Sequence, residues 1–169
     1  MDLIIAELNK ERHDRDSFDC GIDALNFFLK LHASQNQVKN ISRSYVAVSP
    51  DDAKNSKAVV GYYTITAGQI DCAQLPTSVR TKLPKHPVPI ARIARLAVDK
   101  KHHGQGVGGH LLYDALIRIL ELAGKIGIFA VVVDAKNDSA RMFYKKYGFS
   151  ELEDSQLTLF LPIETVRSI

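Results

Sequence analysis

Apolar residues along the chain follow two spacings, and each predicts a different element. Residues 2–8 (DLIIAEL) carry the apolar run of a first strand, and Ile22, Leu25, Phe28, Leu29 and Ala33 then recur at helical spacing behind the turn residues Asp19, Cys20 and Gly21. Tyr45-Val46-Ala47-Val48 and the stretch from Val59 to Ala67 predict two strands, and the polar run 49–55 between them predicts a hairpin. Pro76, Pro84, Pro87 and Pro89 all fall within residues 69–89, which therefore predict a loop with a short helix between Pro76 and Leu83. A loop of that length inside a compact chain points to a function. Residues 90–98 predict a strand, followed by a glycine turn and a helix striped by Leu111, Leu112, Ala115, Ile119, Leu122 and Ala123. Residues 129–133 are apolar at every position, as a buried parallel strand requires. Strand, helix and strand make one right-handed crossover. A helix from about Ser139 to Tyr147, stopped by Gly148, and a last strand near Leu157 to Leu161 complete the pattern, with no internal repeat.

Composition narrows the class. With 169 residues and 46% hydrophobic content the chain can bury one full core, so residues 1–169 are expected to be a single domain. No apolar stretch approaches the ~20 residues of a membrane span, and the N-terminus turns charged too early for a secretory signal, so a soluble, cytoplasmic protein is expected. Cys20 and Cys72 match neither a zinc knuckle nor a disulfide scaffold and are expected to be reduced and structural. The adjacent His102 and His103 lack a nearby third ligand, so no metal is expected. Net charge is only +3, but Arg80, Lys82, Lys85, Arg92, Arg95, Lys100 and Lys101 crowd one segment against the single acid Asp99. That segment is a candidate polyanion surface, with ordinary solvated lysines as the alternative.

The chemistry concentrates in the turn His103-Gly104-Gln105-Gly106-Val107-Gly108, with Gly109 following. Glycines at alternate positions between a strand and a helix expose backbone N–H groups and a positive helix end, with no Cβ atoms in the way. A phosphate suits that place. A Walker A loop is excluded because no Gly-Lys-Ser/Thr follows. Gly104, Gly106 and Gly109 satisfy the dinucleotide pattern G-x-G-x-x-G, and Asp134 ends the next strand where a ribose-binding acid would sit. A dinucleotide fold, however, begins with this unit and continues with others, whereas only 35 residues follow Asp134. A tight turn that merely lets a helix pack closely is the remaining alternative.

The segment LAVDKKHHGQGVGGHLLYDAL, Leu96 to Leu116, resembles the central motif of the GNAT acetyltransferase superfamily, in which Gln or Arg stands where this chain has His103. The stretch AKNDSARMFYKKYGF, Ala135 to Phe149, resembles the superfamily's second half, with Asn137 at a helix start, then Ala140, Phe143-Tyr144 and Gly148-Phe149. A narrower likeness runs through FDCG at 18–21, LNFFL at 25–29, SRSYVAV at 42–48, VVGYYTIT at 59–66, HPVPIARIARLAVD at 86–99 and VDAKNDSARMFY at 133–144. Those segments resemble the GNAT-type toxins of bacterial toxin–antitoxin operons. The resemblance implies an α/β fold: a mixed, mostly antiparallel sheet of six or seven strands with a central splay, flanked by about four helices. It implies acetyl-CoA as co-substrate, the α-amine of an aminoacyl-tRNA as acceptor, a ribbon-helix-helix antitoxin as partner and a homodimer.

The same resemblance assigns roles. Leu96, Ala97 and Val98 would line the pantetheine arm through backbone groups, residues 103–109 would hold the pyrophosphate, and Asn137 and Tyr144 would be further coenzyme contacts. Tyr144 would protonate the departing thiolate; a phenol of ordinary pKa about 10 keeps its proton at neutral pH. Without the resemblance, Tyr144 is one more core aromatic beside Phe143, Tyr147 and Phe149. Several N-acetyltransferases of this fold use a strand glutamate as base, but residues 88–98 contain no carboxylate. A lysine amine, pKa about 10.4, is about one part in a thousand neutral near pH 7.4, whereas an α-amine, pKa about 7.7, is about one-third neutral. The missing base thus suits an α-amine acceptor, with Asp134, Glu7 or another loop acid as groups that folding could bring to the site. Arg80, Lys82, Lys85, Arg92, Arg95, Lys136, Lys145 and Lys146 are the candidate tRNA contacts. A small-amine or protein N-terminal acetyltransferase and a non-catalytic coenzyme-binding regulator are the alternatives.

Overall fold

The computed structural model describes residues 2–52 and 54–169. Ala53, in the expected 49–55 turn, lies outside them. Among the described residues eight strands form one mixed sheet, and the chain divides into two compact units, Met1–Thr66 with Ala94–Ala115 and Ala67–Ile93 with Leu116–Ile169. Three elements contribute residues to both: β4 (Lys57–Ile70), β5 (Val88–Val98) and α4 (Val107–Ala123).

In the first unit β1 (Ile4–Glu7) pairs antiparallel with β3 (Arg43–Val48), which pairs antiparallel with β4 from Arg43↔Ile65 to Val48↔Val59. This is the expected hairpin, with one register shift at Ala47/Val48. A two-residue strand, β2 (His13–Asp14), runs parallel to the start of β4 and has no hydrophobic period that would announce it. The helical stretch expected behind Gly21 is three consecutive pieces: α1 (Asp23–Phe27), a π-helical turn Phe28–His32 and α2 (Ala33–Val38). Leu25, Phe28, Leu29 and Ala33 are buried with Phe18, Val46, Val59 and Tyr62 in one core cluster, with Ile22 packed against it. The Tyr62 hydroxyl donates to the Leu25 carbonyl at 2.7 Å, fastening the helix to β4.

In the second unit β5 pairs parallel with β6 (Ala130–Asp134), which pairs antiparallel with β8 (Ser155–Pro162), and β8 pairs with β7 (Ser150–Leu152). Val131, Val132 and Val133 are fully buried, the environment their apolar run demands. Residues 71–87 hold a single turn of 3-10 helix at Cys72–Gln74, capped by Asp71, and a short α3 (Thr77–Arg80), in keeping with the proline-rich sequence. The helix α5 (Asp138–Lys146) begins at Asn137, whose side-chain oxygen accepts from Ala140 N–H at 2.9 Å, and stops at Gly148, where φ is +95°. A final α6 (Ile163–Arg167) follows β8; it is too short to show a periodic stripe.

Along α4 the expected stripe holds at Leu111, Leu112, Ala115 and Ile119, each at most 1% exposed. Leu122 departs from it: at 40% exposure it lies in the helix's last turn, and Leu116 is buried instead. No helix among the described residues is long and apolar enough to cross a membrane. Cys20 and Cys72 are free thiols, Cys20 buried and its pKa pushed up by that burial.

Candidate active site

The glycine turn joins β5 to α4 in the first unit. Gly104 and Gly106 have φ of +76° and +80°, a region that side-chain-bearing residues rarely enter. A Cβ built at either would meet nothing within 4 Å, so backbone conformation, not crowding, requires glycine there, and the face above the turn is open. His110 N–H donates to the Gly106 carbonyl at 3.1 Å, which leaves the N–H groups of Val107, Gly108 and Gly109 as the first-turn donors without intrahelical partners. An open face of backbone donors at the positive end of a 17-residue helix fits a pyrophosphate. The His103 ring turns the other way: its Nε2 lies 2.8 Å from the Val98 carbonyl. Gln105 reaches back to the Lys101 carbonyl at 3.5 Å. Both side chains are thus turned to main-chain carbonyls of residues that precede the turn.

The paired register of β5 and β6 runs from Ile90↔Ala130 to Ile93↔Val133, and β5 continues for five further residues, Ala94 to Val98. Leu96, Ala97 and Val98, the expected pantetheine contacts, all lie in that continuation, where the backbone has left its parallel neighbour. The Val98 carbonyl is taken by His103.

The second unit supplies Tyr144, the one buried residue of α5, at 5% exposure. Its ring packs edge-on against Phe143 and Phe149, with centroids at 5.2 and 5.6 Å. Burial pushes its phenol pKa well above the ordinary value, and the negative charge of Asp134 adds to the rise. Asn137 spends its side-chain oxygen on capping α5, so any coenzyme contact it makes comes from its remaining groups.

Neither acid considered as a base is uncommitted. Asp134 Oδ2 pairs with Arg92 at 2.7 Å and its Oδ1 accepts from Thr158 at 3.3 Å, while Glu7 pairs with Arg43 at 2.8 Å. The sequence held no sign of these partners, because each joins residues on different strands.

Of the eight candidate RNA contacts, seven belong to the second unit and Arg95 to the first. Arg95 lies over the Phe28 ring at 3.6 Å, a cation–π contact, and Arg92 is held by Asp134. Lys145 pairs with Glu151 at 3.3 Å, and Lys146 sits 5.8 Å from the Tyr147 ring. Lys82, Lys85 and Lys136 are exposed. Arg80 and Lys85 line an open cleft of about 700 Å³ with Gln69, Asp71, Cys72 and His86. The strand arginines therefore have intramolecular partners, and the exposed Lys82, Lys85 and Lys136 are the more available. Among the described residues no group of three or more His, Cys, Asp or Glu side chains could hold a metal ion.

An α/β fold with a parallel β5–α4–β6 unit, a glycine turn opening its helix and a β5 that runs on past its pairing with β6 is the arrangement of a coenzyme-A-dependent acyltransferase. The model of the acetyltransferase (GNAT) domain matches residues 40–151, and the chain belongs to the GNAT acetyltransferase family. It is 36% identical over 174 residues to the probable toxin TacT of Sinorhizobium fredii, covering 98% of this chain and 94% of that protein. It is 36% identical over 156 residues to the tRNA-acetylating toxin of Mycobacterium tuberculosis, covering 92% and 90%. Among solved structures, AtaT complexed with acetyl-methionyl-tRNAfMet superposes with a TM-score of 0.90 at 32% identity, covering 99% of this chain and 98% of that one. A Tyr-to-Phe mutant of AtaT bound to the C-terminus of the antitoxin AtaR and acetyl-CoA superposes with a TM-score of 0.83 at 28% identity, covering 99% and 98%. Acetyl-CoA is the co-substrate of this family.

Proposed function

We propose that this protein transfers the acetyl group of acetyl-CoA to the α-amino group of an aminoacyl-tRNA, blocking translation as the toxin of a toxin–antitoxin pair in the cytoplasm. The observation that carries the reading is the likeness, over nine-tenths of the chain, to the tRNA-acetylating toxin of Mycobacterium tuberculosis. β4, β5 and α4 run through both compact units, which supports one catalytic domain spanning the chain.

Bound acetyl-CoA supplies the acyl group as an activated thioester. The N–H groups of residues 103–109 hold its pyrophosphate, and backbone groups of Leu96, Ala97 and Val98 align the pantetheine arm. Tyr144 holds a proton at its Oη and delivers it to the departing sulfur; its raised pKa keeps that proton in place throughout the physiological range. The AtaT form solved with antitoxin and acetyl-CoA is a Tyr-to-Phe mutant, which accords with this role. Asp134 and Glu7 are each held in an ion pair with an arginine, which supports a reaction that does not rely on either as a base. An α-amine, about one-third neutral near pH 7.4, needs little such help, whereas a lysine side chain does.

For the RNA, the cleft bordered by Arg80 and Lys85, with Lys82 and Lys136 exposed in the same unit, supplies phosphate contacts. The intramolecular ties of Arg92 and Arg95 position their guanidinium groups without removing their charge. The partner reading is a ribbon-helix-helix antitoxin and a homodimer; exposed apolar side chains such as Phe27, Leu31 and Val38 offer contact area for assembly.

The deciding experiment offers labelled acetyl-CoA to a pool of charged tRNAs, with uncharged tRNA, free amino acids, polyamines and peptides as controls. Label confined to charged tRNA is the expected outcome. Label on peptides or polyamines alone would replace the acceptor, and coenzyme binding without transfer to any acceptor would leave a non-catalytic binder.

A further inference from the structure

We infer that the turn Phe18–Gly21 is a clasp that sets the pyrophosphate turn, and that Asp19 and Asp99 are positioning residues for acetyl-CoA. The inference rests on residues 103–109 being the pyrophosphate seat.

The need for a clasp comes from the glycines. Gly104 and Gly106 sit at positive φ, and a glycine chain wanders over far more of φ/ψ space than any other. The turn's own ties, His103 to Val98 and Gln105 to Lys101, reach back to residues 98–101 and so fix its shape only as well as those residues are held, yet its N–H groups bind well only when distance and angle are right. It must be anchored from both ends. The α4 helix anchors the far end, and the near end leaves β5 at Val98 through Asp99, Lys100 and Lys101.

Those residues are tied to the 18–21 turn by an unusual density of polar bonds. Asp99 is 6% exposed, and its N–H donates to the Val60 carbonyl at 2.8 Å. Its Oδ1 accepts from Lys101 N–H at 2.9 Å and its Oδ2 from Asp19 N–H at 3.1 Å, a contact across 80 positions of sequence. Lys100 N–H returns a bond to the Asp19 carbonyl at 2.9 Å, and Lys100 Nζ pairs with Asp19 Oδ2 at 2.9 Å. Asp19 Oδ1 accepts from Gly21 N–H and from Asn26 Nδ2, both at 2.9 Å. Asn26, 8% exposed, closes the turn by accepting from Cys20 N–H at 2.9 Å. Gly21 takes φ +91°, which favours glycine, and the aliphatic stem of Lys100 lies over the turn in ordinary contact, 3.5 Å from where a Cβ would be. The chain then runs from this junction straight into His103, whose ring binds back to Val98.

The sign of the effect separates positioning from charge. Acetyl-CoA is a polyanion, so removing a nearby carboxylate strengthens binding if only charge matters. A clasp predicts the reverse. Coenzyme A binding is measured by calorimetry for the wild-type protein, Asp19→Ala and Asp99→Asn, with KM for acetyl-CoA and kcat alongside. The expected result is a Kd about tenfold higher in both variants, a matching rise in KM and a kcat within about twofold at saturation, as loss of a charge-assisted hydrogen bond would give. Unchanged or tighter coenzyme binding overturns the clasp. Val46→Ala, in the core of the same unit and 0% exposed, is the stability control. If it weakens coenzyme binding as much at an equal loss of Tm, the effect is general softening and the clasp is again overturned. Gly106→Val tests the seat itself: wild-type affinity there would remove the pyrophosphate reading and the clasp with it, whereas lost affinity beside unaffected aspartate variants would remove the clasp alone.

Discussion

The role proposed for Tyr144 depends on its surroundings. Phe143 and Phe149 hold the ring, and burial with the nearby charge of Asp134 drives its phenol toward the protonated form. Tyr144→Phe keeps the ring and its packing while removing the proton, so kcat should fall about a hundredfold with the affinity for coenzyme A unchanged. Steady-state kinetics beside calorimetry checks both halves, and near-wild-type turnover would end the assignment. The same environment predicts the pH profile. With Tyr144 protonated beyond its ordinary range, kcat/KM should rise through about pH 7.7 as the acceptor α-amine loses its proton, and should show no alkaline fall before about pH 10.

At the scale of elements, the first unit depends on how closely α4 approaches β4. Gly61 faces that helix: a Cβ there would lie 2.9 Å from Leu111 Cδ1 and 3.0 Å from the Ala97 carbonyl oxygen. The leucine can turn aside, but the carbonyl belongs to the β5 backbone. Gly61→Ala should therefore cost about 1–3 kcal/mol and lower Tm by roughly 2–4 °C per kcal/mol, readable by thermal melting. An unchanged Tm would mean that β5 gives way freely.

For the whole molecule, the electrostatic reading is a statement about salt. Seven of the eight candidate RNA contacts lie in the second unit, and Lys82 and Lys85 are exposed there on the segment between α3 and β5. Affinity for tRNA should fall steeply with salt, the logarithmic slope being about 0.9 per duplex phosphate contacted. Replacing Lys82 and Lys85 together by alanine should flatten that slope by roughly two contacts without changing the affinity for coenzyme A. A filter-binding series in salt decides it, and an unaltered slope would clear both lysines of contact with RNA.

Much of this was legible in the sequence. The β3–β4 hairpin, the β5–α4–β6 unit, the glycine turn and the Gly148 end of α5 each rest on hydrophobic period or backbone conformation, and these are local properties that a sequence states directly. β2, β7 and α6 were not legible, since two, three and five residues are too few to carry a period. Nor was the exposure of Leu122, which continues the stripe of α4 yet ends in its unburied last turn. The partners of the charged groups lay furthest out of reach: Arg92 with Asp134, Glu7 with Arg43, Arg95 over Phe28 and Asp19 with Asp99 and Lys100. The sequence by itself determined where backbone donors could gather for a phosphate, because only glycine allows that path. Tertiary structure alone decided which acids and cations are already spoken for, because an ion pair depends on distance in space, and residues 36 to 81 positions apart meet only once strands and turns have been brought together.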